Sequence, residues 1–196
     1  MFKAILYFTS LIVVASSMVI SPKRPNNLAT CSFPNGTDTA MHFYNCDGTY
    51  AITVQSARAL DANNNTLYPI DPRKPITIEL KATNNGVQYN DNKNNVTIYE
   101  YKNDWVTNQC QWNSVPTFNL LDAIDGCDYA HNCPLTTGAL DLRLPLDLSK
   151  FSAIINLLAS GTPYQLLIEM HNYNQNDQQH EVIACVVAQI RFEETN

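Results

Sequence analysis

Hydrophobic and polar residues alternate in short runs along most of the chain. Tyr50, Ile52 and Val54 face away from Ala51, Thr53 and Gln55, and Ile76, Ile78 and Leu80 face away from Thr77, Glu79 and Lys81, the period-2 signature of half-buried strands. Val96, Ile98 and Glu100 against Thr97, Tyr99 and Tyr101 predict a third strand. Leu140, Leu142 and Leu144 against Asp141 and Arg143 predict a fourth, which Pro145 ends or marks as an edge. The longest runs cover 164–173 and 182–192. In the second, Val182, Ala184, Val186, Ala188, Ile190 and Phe192 share one face, and β-branched content with strict alternation favours strand over helix. Residues 61–65 and 83–95, rich in Asn, Asp and Gly, read as loops. With no repeat and no linker, seven or eight short antiparallel strands predict one all-β sandwich or barrel. Residues 148–160 break the pattern: Phe151, Ile154, Ile155, Leu157 and Leu158 fit a short helix or an exposed apolar loop.

The first residues belong to another kind of pattern. Lys3, an apolar run from Ala4 through Val14 and the small residues Ala15, Ser16 and Ser17 predict a secretory signal peptide over 1–17. The run is shorter than the roughly 20 residues a membrane-spanning helix needs, and Pro22, Lys23 and Arg24 follow it closely. Residues 18–40 then form an N-terminal extension and 41–196 the sandwich domain. The 196 residues are 45% apolar and 15% charged with a net charge of −6; losing Lys3 brings the mature chain near −7. That balance argues against a nucleic-acid partner. Its 23 asparagines imply a surface solvated by neutral amides.

Export makes the cysteines legible. All six lie after residue 17, an even number suited to an oxidising compartment, and imply three disulfides among 15 possible pairings. A zinc site wants paired close spacings, whereas the one close pair, Cys127 and Cys133, has only His131 between. No metal is expected. Asn35, Asn64 and Asn95 stand in Asn-x-Thr acceptor sequences for glycosylation.

The search for chemistry is negative. No phosphate-binding glycine loop, Gly-x-Ser-x-Gly elbow or His-Glu-x-x-His helix is present. Asp122, Asp125 and Asp128 match neither a glycosidase pair nor a calcium loop and read as solvated surface. The histidines His42, His131, His171 and His180 are scattered and read as surface or strand-edge residues.

The cysteine contexts carry a resemblance. Phe43-Tyr44-Asn45-Cys46-Asp47-Gly48 resembles the first-strand Phe-x-x-Cys segment of the ML (lipid-recognition) domain family. The run from Gly126-Cys127 through Cys133-Pro134-Leu135 is similar to that family's Gly-Cys-x5-Cys-Pro-hydrophobic motif, found in its Niemann-Pick C sterol-transfer members. Residues 156–164, with Leu157, Leu158, Gly161 and Tyr164, resemble the ganglioside-activator entry into the penultimate strand, and Cys185 takes the place of the late cysteine. The match spans about 41–192. It implies Cys46 paired with Cys185 and Cys127 with Cys133. Cys31 and Cys110 remain as a third pair, one that departs from the sterol-transfer members, whose remaining pair is local.

The resemblance also implies an immunoglobulin-like β-sandwich of two antiparallel sheets, splayed so that a lipid's hydrocarbon fills a cavity between them. Each methylene withdrawn from water contributes about 0.8 kcal/mol, so a tail alone supplies micromolar affinity without a catalytic group or cofactor. The candidate lipid-binding residues are Ile52, Val54, Ile78, Leu80, Ile98, Leu142, Leu166, Ile168, Val186 and Ile190, which a solid core would bury equally well. Phe151, Ile154, Ile155, Leu157 and Leu158 are the candidate membrane lip, with a buried helical cap as the alternative. The expected function is a secreted or lysosomal, non-enzymatic lipid-binding and transfer protein. Its ligand is a glycolipid, sphingolipid, phospholipid or sterol, the first two favoured. Its partners are a transient membrane surface and a lysosomal hydrolase or receptor. Sterol transfer, a secreted recognition or immune lipid-sensing module, and a hydrolase are the competing readings. Trp105 and Trp112 flank Cys110 too closely for the buried tryptophan of an adhesion domain.

Overall fold

The computed structural model describes residues 31–158 and 161–193. The predicted signal segment 1–17 lies outside them. Among the described residues, nine strands form two antiparallel sheets, a sandwich rather than the barrel that the alternation allowed equally, as the resemblance implies. They are β1 (His42–Asn45), β2 (Ile52–Leu60), β3 (Ile76–Asn84), β4 (Asn92–Asn103), β5 (Cys110–Ser114), β6 (Ile124–Asp125), β7 (Gly138–Leu146), β8 (Pro163–Asn172) and β9 (Val182–Arg191). The larger sheet runs β1-β9-β8-β4-β5, with β6 also on β4; the smaller runs β2-β3-β7. Two short helices, α1 (Gly126–Ala130) and α2 (Ser152–Ile155), follow β6 and β7.

Register follows the hydrophobic pattern, because a slip of one residue would turn every apolar side chain to the wrong face. Ile78 lies opposite Leu144, Leu80 opposite Leu142 and Ala82 opposite Leu140; on the other sheet, Ile168 lies opposite Val96 and Val186. Pro145 sits on β7, an edge strand of the smaller sheet, where its missing N–H breaks no ladder.

The loop expected over 83–95 is shorter than the composition suggests. Thr83 and Asn84 end β3, and Asn92 through Asn95 begin β4. Asparagine is a poor strand former, but here its amides find tertiary partners that override propensity. Asn92, fully buried, donates to Asn132 Oδ1 at 2.9 Å and to Cys133 Sγ at 3.1 Å, while Asn132 Nδ2 returns a bond at 3.3 Å. Asn95 Oδ1 accepts from the Ala123 N–H at 2.8 Å, and its Nδ2 lies 3.1 Å from His171 Nε2.

One edge of the sandwich is closed by a side chain acting as backbone. Asn45, at the end of β1, accepts from the Val54 N–H and donates to the Val54 carbonyl, both at 2.9 Å, tying the edge strand of one sheet to that of the other. The ladder shift on β2 between Val54 and Ser56 falls at this contact. At the opposite edge α1 packs between β4 and β7.

Disulfides join Cys46 to Cys185 and Cys127 to Cys133, the pairs that the resemblance implies, and Cys31 to Cys110, the pair that was left over. The third staples residues 31–40 to β5, and Tyr68 adds a clamp: its hydroxyl donates to the Thr37 carbonyl and accepts from the Arg191 N–H. The extension therefore packs on the sandwich from Cys31 onward. In the chain-entropy model the Cys46–Cys185 bridge, 139 residues apart in sequence, is worth on the order of 5 kcal/mol, and the short 127–133 loop about 2. Calorimetry of Cys46→Ser/Cys185→Ser is expected to show a clearly larger loss of Tm than Cys127→Ser/Cys133→Ser.

Candidate functional site

The buried apolar side chains fall into two groups rather than one. Ala59, Ile70, Ile76, Ile98, Ile154, Tyr164, Ile190 and Phe192 pack around one end. Ile52, Val54, Ala82, Tyr89, Leu135, Leu140 and Ile183 pack around the other. Between them, the inward positions of both sheets are only half-buried: Ile78, Leu80, Leu142 and Leu144 on the smaller sheet, Val96, Leu166, Ile168, Met170 and Val186 on the larger. Among the described residues, Leu144 and Ile168 join neither group. A filled sandwich interdigitates such side chains across a layer about 10 Å thick and leaves them dry.

Of the ten predicted lipid-binding residues, Ile52, Val54, Ile98 and Ile190 are buried in the two end groups. Ile78, Leu80, Leu142, Leu166, Ile168 and Val186 are half-buried in the middle. The five lip residues also divide. Ile154 is 2% exposed and belongs to the core, so it offers nothing to a membrane surface, whereas Leu157 is 54% exposed. Phe151 stacks on Tyr129 of α1 with ring centroids 5.3 Å apart. Ile155 and Leu158 border a cleft of about 160 Å³ with Pro72, Arg73 and Phe192. The segment thus contains the short helix α2 with one face docked and a single apolar tip outward.

A larger cleft, about 580 Å³, opens at the ends of β2, β3 and β7 against α1. None of the ten predicted residues borders it. Its floor is Ile76, Leu146 and Tyr129, and its rim carries Asp61, Asp125, Asp128, Asp147, His131 and Lys150. Ile76 was visible in the alternation of β3. Leu146 was hidden because Pro145 looked like a strand end. Asp125 and Asp128, read as solvated surface, are held by α1: Asp125 Oδ1 accepts from the Asp128 N–H at 3.0 Å and caps the helix. The helix can lie this close only because Gly126 has no Cβ; one there would sit 2.1 Å from Asn92 Oδ1. Lys150 reaches across the rim to within 5.0 Å of the Tyr129 ring.

Two of the four rim carboxylates have their charged form favoured by backbone donors. The Asn65 backbone N–H, opposed by partial burial and helped by the Asn63 N–H, holds Asp61 below the ordinary carboxylate value; the Ser149 N–H and hydroxyl do the same for Asp147. Asp91, Asp125 and Cys127 lie close enough to share an ion, but Cys127 is committed to its disulfide and lacks a free thiolate.

No family model matches the chain, and no curated protein matches it. Among solved structures it is similar to a Niemann-Pick type C2 protein from Japanese carpenter ant, at 15% identity and a TM-score of 0.45, over 78% of this chain and 99% of that one. It is also similar to the C-terminal domain of wzt, at 11% identity and a TM-score of 0.36, over 82% of this chain and 81% of that one. The fold stands on strand order and register, independently of both.

The smaller cleft is ordered by Asp71. Burial pushes its carboxyl up, but hydrogen bonds from the Arg73 side chain and N–H and from Lys74 outweigh this and bring it down to about 2. A folded value below the unfolded one stabilises above about pH 4, and the contribution disappears as pH falls toward 2. Thermal melts are expected to show the wild type unchanged by this group between pH 7 and 5 and losing Tm from pH 4 to 2. Asp71→Asn lowers Tm at pH 5 and removes that part of the acid dependence.

Proposed function

We propose that this protein binds a lipid, holding its hydrocarbon between the two sheets and presenting or moving it without chemical change. The observation that carries the reading is the half-buried middle of the sandwich, where nine apolar side chains from both sheets keep partial exposure while the two end groups are buried, and two of the nine, Leu144 and Ile168, pack with neither group. A hydrocarbon chain supplies the missing contacts, and each methylene gains about 0.8 kcal/mol on leaving water. Closure at the Asn45 edge and the cleft near α1 support entry from the β7 side in this reading.

The rim favours a polar headgroup over a sterol. Four carboxylates with Tyr129, His131 and Lys150 offer hydrogen-bond acceptors in number, which suits a hydroxyl-rich sphingolipid or glycolipid better than a ligand with one hydroxyl. The three disulfides accord with an extracellular or lysosomal lumen. A hydrolase or receptor that takes over the presented lipid is the partner this reading asks for.

Solvent extraction of the purified mature protein followed by mass spectrometry is expected to return a two-chain polar lipid in near-stoichiometric amount. An empty extract together with no uptake of a fluorescent acyl lipid overturns the reading. Leu142→Trp, which fills the gap from the edge strand, is expected to lower bound lipid several-fold while the circular dichroism spectrum of the sandwich persists.

A further inference from the structure

Trp105 is 86% exposed and Val106 69% exposed, at the tip of the β4–β5 hairpin. Nothing about the turn is loose. Asp104 Oδ1 accepts from the Val106 N–H at 2.9 Å, the Thr107 N–H at 2.8 Å and the Thr107 hydroxyl at 3.2 Å, which turns its charge inward onto the turn. The Asp104 N–H donates to the Gln109 carbonyl at 2.9 Å, and the Asn108 N–H to the Asp104 carbonyl at 2.8 Å. The base is fixed by the Cys31–Cys110 disulfide and by the Tyr101–Trp112 ring contact at 5.0 Å. The fold thus builds a rigid, stapled turn whose outward product is an indole and an isopropyl group in water.

The hairpin projects from one particular end of the molecule. Glu100 of β4 pairs with Tyr164, next to the start of β8, so Asn103 and the turn beyond it extend past that strand. The segment leading into β8 exposes Leu157. Two apolar protrusions therefore leave the larger sheet at the same end.

We propose that the Trp105–Val106 tip inserts into the interface of a lipid bilayer and docks the protein there. A protein partner is the poorer fit: two side chains on a convex turn offer on the order of 300 Å², against roughly 800 Å² per partner in a standard interface. A bilayer needs no matching concavity, and tryptophan partitions to its headgroup level, where the ring is buried and the indole N–H stays hydrogen-bonded. The tip presents no basic residue of its own, and the whole chain is acidic, so the membrane it suits is zwitterionic rather than strongly anionic. The docking rests on the lipid-binding reading for its use, while its geometry is independent of it.

The chain has two tryptophans, so Trp112→Phe in the mature protein leaves Trp105 as the only indole. With phosphatidylcholine vesicles its emission is expected to shift blue and to be quenched by brominated acyl chains. Trp105→Ser/Val106→Ser is expected to weaken vesicle co-sedimentation by roughly tenfold or more, the effect of keeping about a third of an indole's surface in water. Lipid recovered by solvent extraction from that variant should be unchanged. If Trp112→Phe misfolds, loss of iodide quenching in the wild type on adding vesicles reads the same indole, because Trp112 is partly shielded. Emission and quenching unmoved by vesicles overturn the proposal, as does undiminished co-sedimentation of the double variant. Failure of lipid uptake with vesicle docking intact overturns the lipid-binding reading alone.

Discussion

A polar group taken out of water must find a partner inside, and this sandwich is organised by how its asparagine side chains meet that demand. Asn45 bridges the two sheets by satisfying both the N–H and the carbonyl of Val54. Asn84, 1% exposed, donates to the Val87, Leu135 and Thr136 carbonyls and accepts from the Gly86 N–H. Asn92 and Asn132 pin the 127–133 disulfide loop to β4. Leaving any one of these unpaired costs about 1–3 kcal/mol, so the pairs act as fixed points. The sheets are set at the Asn45 edge and at the Asn92 loop, and the apolar middle spans the interval between them. Partial exposure of the middle is therefore compatible with a specific fold: register and edge closure come from polar pairs at the Asn45 edge and the Asn92 loop.

This division explains what the sequence revealed and what it hid. β2, β3, β7, β8 and β9 were legible because one face of each is buried and alternation records that directly. β5 was not: Cys110-Gln111-Trp112-Asn113-Ser114 is a mostly polar edge strand, specified by its pairing with β4 and its disulfide. The start of β4 was mistaken for loop because Asn92 and Asn95 satisfy their side-chain amides with partners at Asn132, Cys133, Ala123 and His171, relations that no local window contains. Two of the disulfide pairs came from cysteine context, which is local, and the sheet order only from the register.

The candidate site was legible in part for the same reason. Alternation identified inward positions such as Ile78, Leu80, Leu142 and Ile168, but a fully buried and a half-buried position share one period. The fold distinguishes those two classes: Ile52 and Ile98 are 5% and 4% exposed, whereas Leu80 and Leu142 are half-buried. The cleft at α1 lay beyond pattern reading altogether, since Asp61 after β2, Asp125 and Asp128 at α1, and Asp147 after β7 come from three separate stretches that meet only in the fold. Apolar runs misled at Ile154, because a two-sided short helix buries one residue while exposing its neighbour Leu157.

Few charges and many amides have a further consequence for where such a molecule works. An amide pair does not titrate, so the Asn45–Val54 and Asn92–Asn132 links keep their strength between pH 7 and pH 5. The one buried carboxylate that orders a loop, Asp71, remains ionised through that range because its partners hold it at about 2. The rim carboxylates Asp61 and Asp147 are likewise held low by backbone N–H donors, so acidification relieves the negative charge of the cleft less than free carboxylates would allow. The architecture is thus fixed by bonds indifferent to mild acid. Apolar packing is equally indifferent, since transfer of hydrocarbon from water carries no proton. A pH change from 7 to 5 therefore leaves the amide links, the Asp71 contacts and the apolar packing as they were.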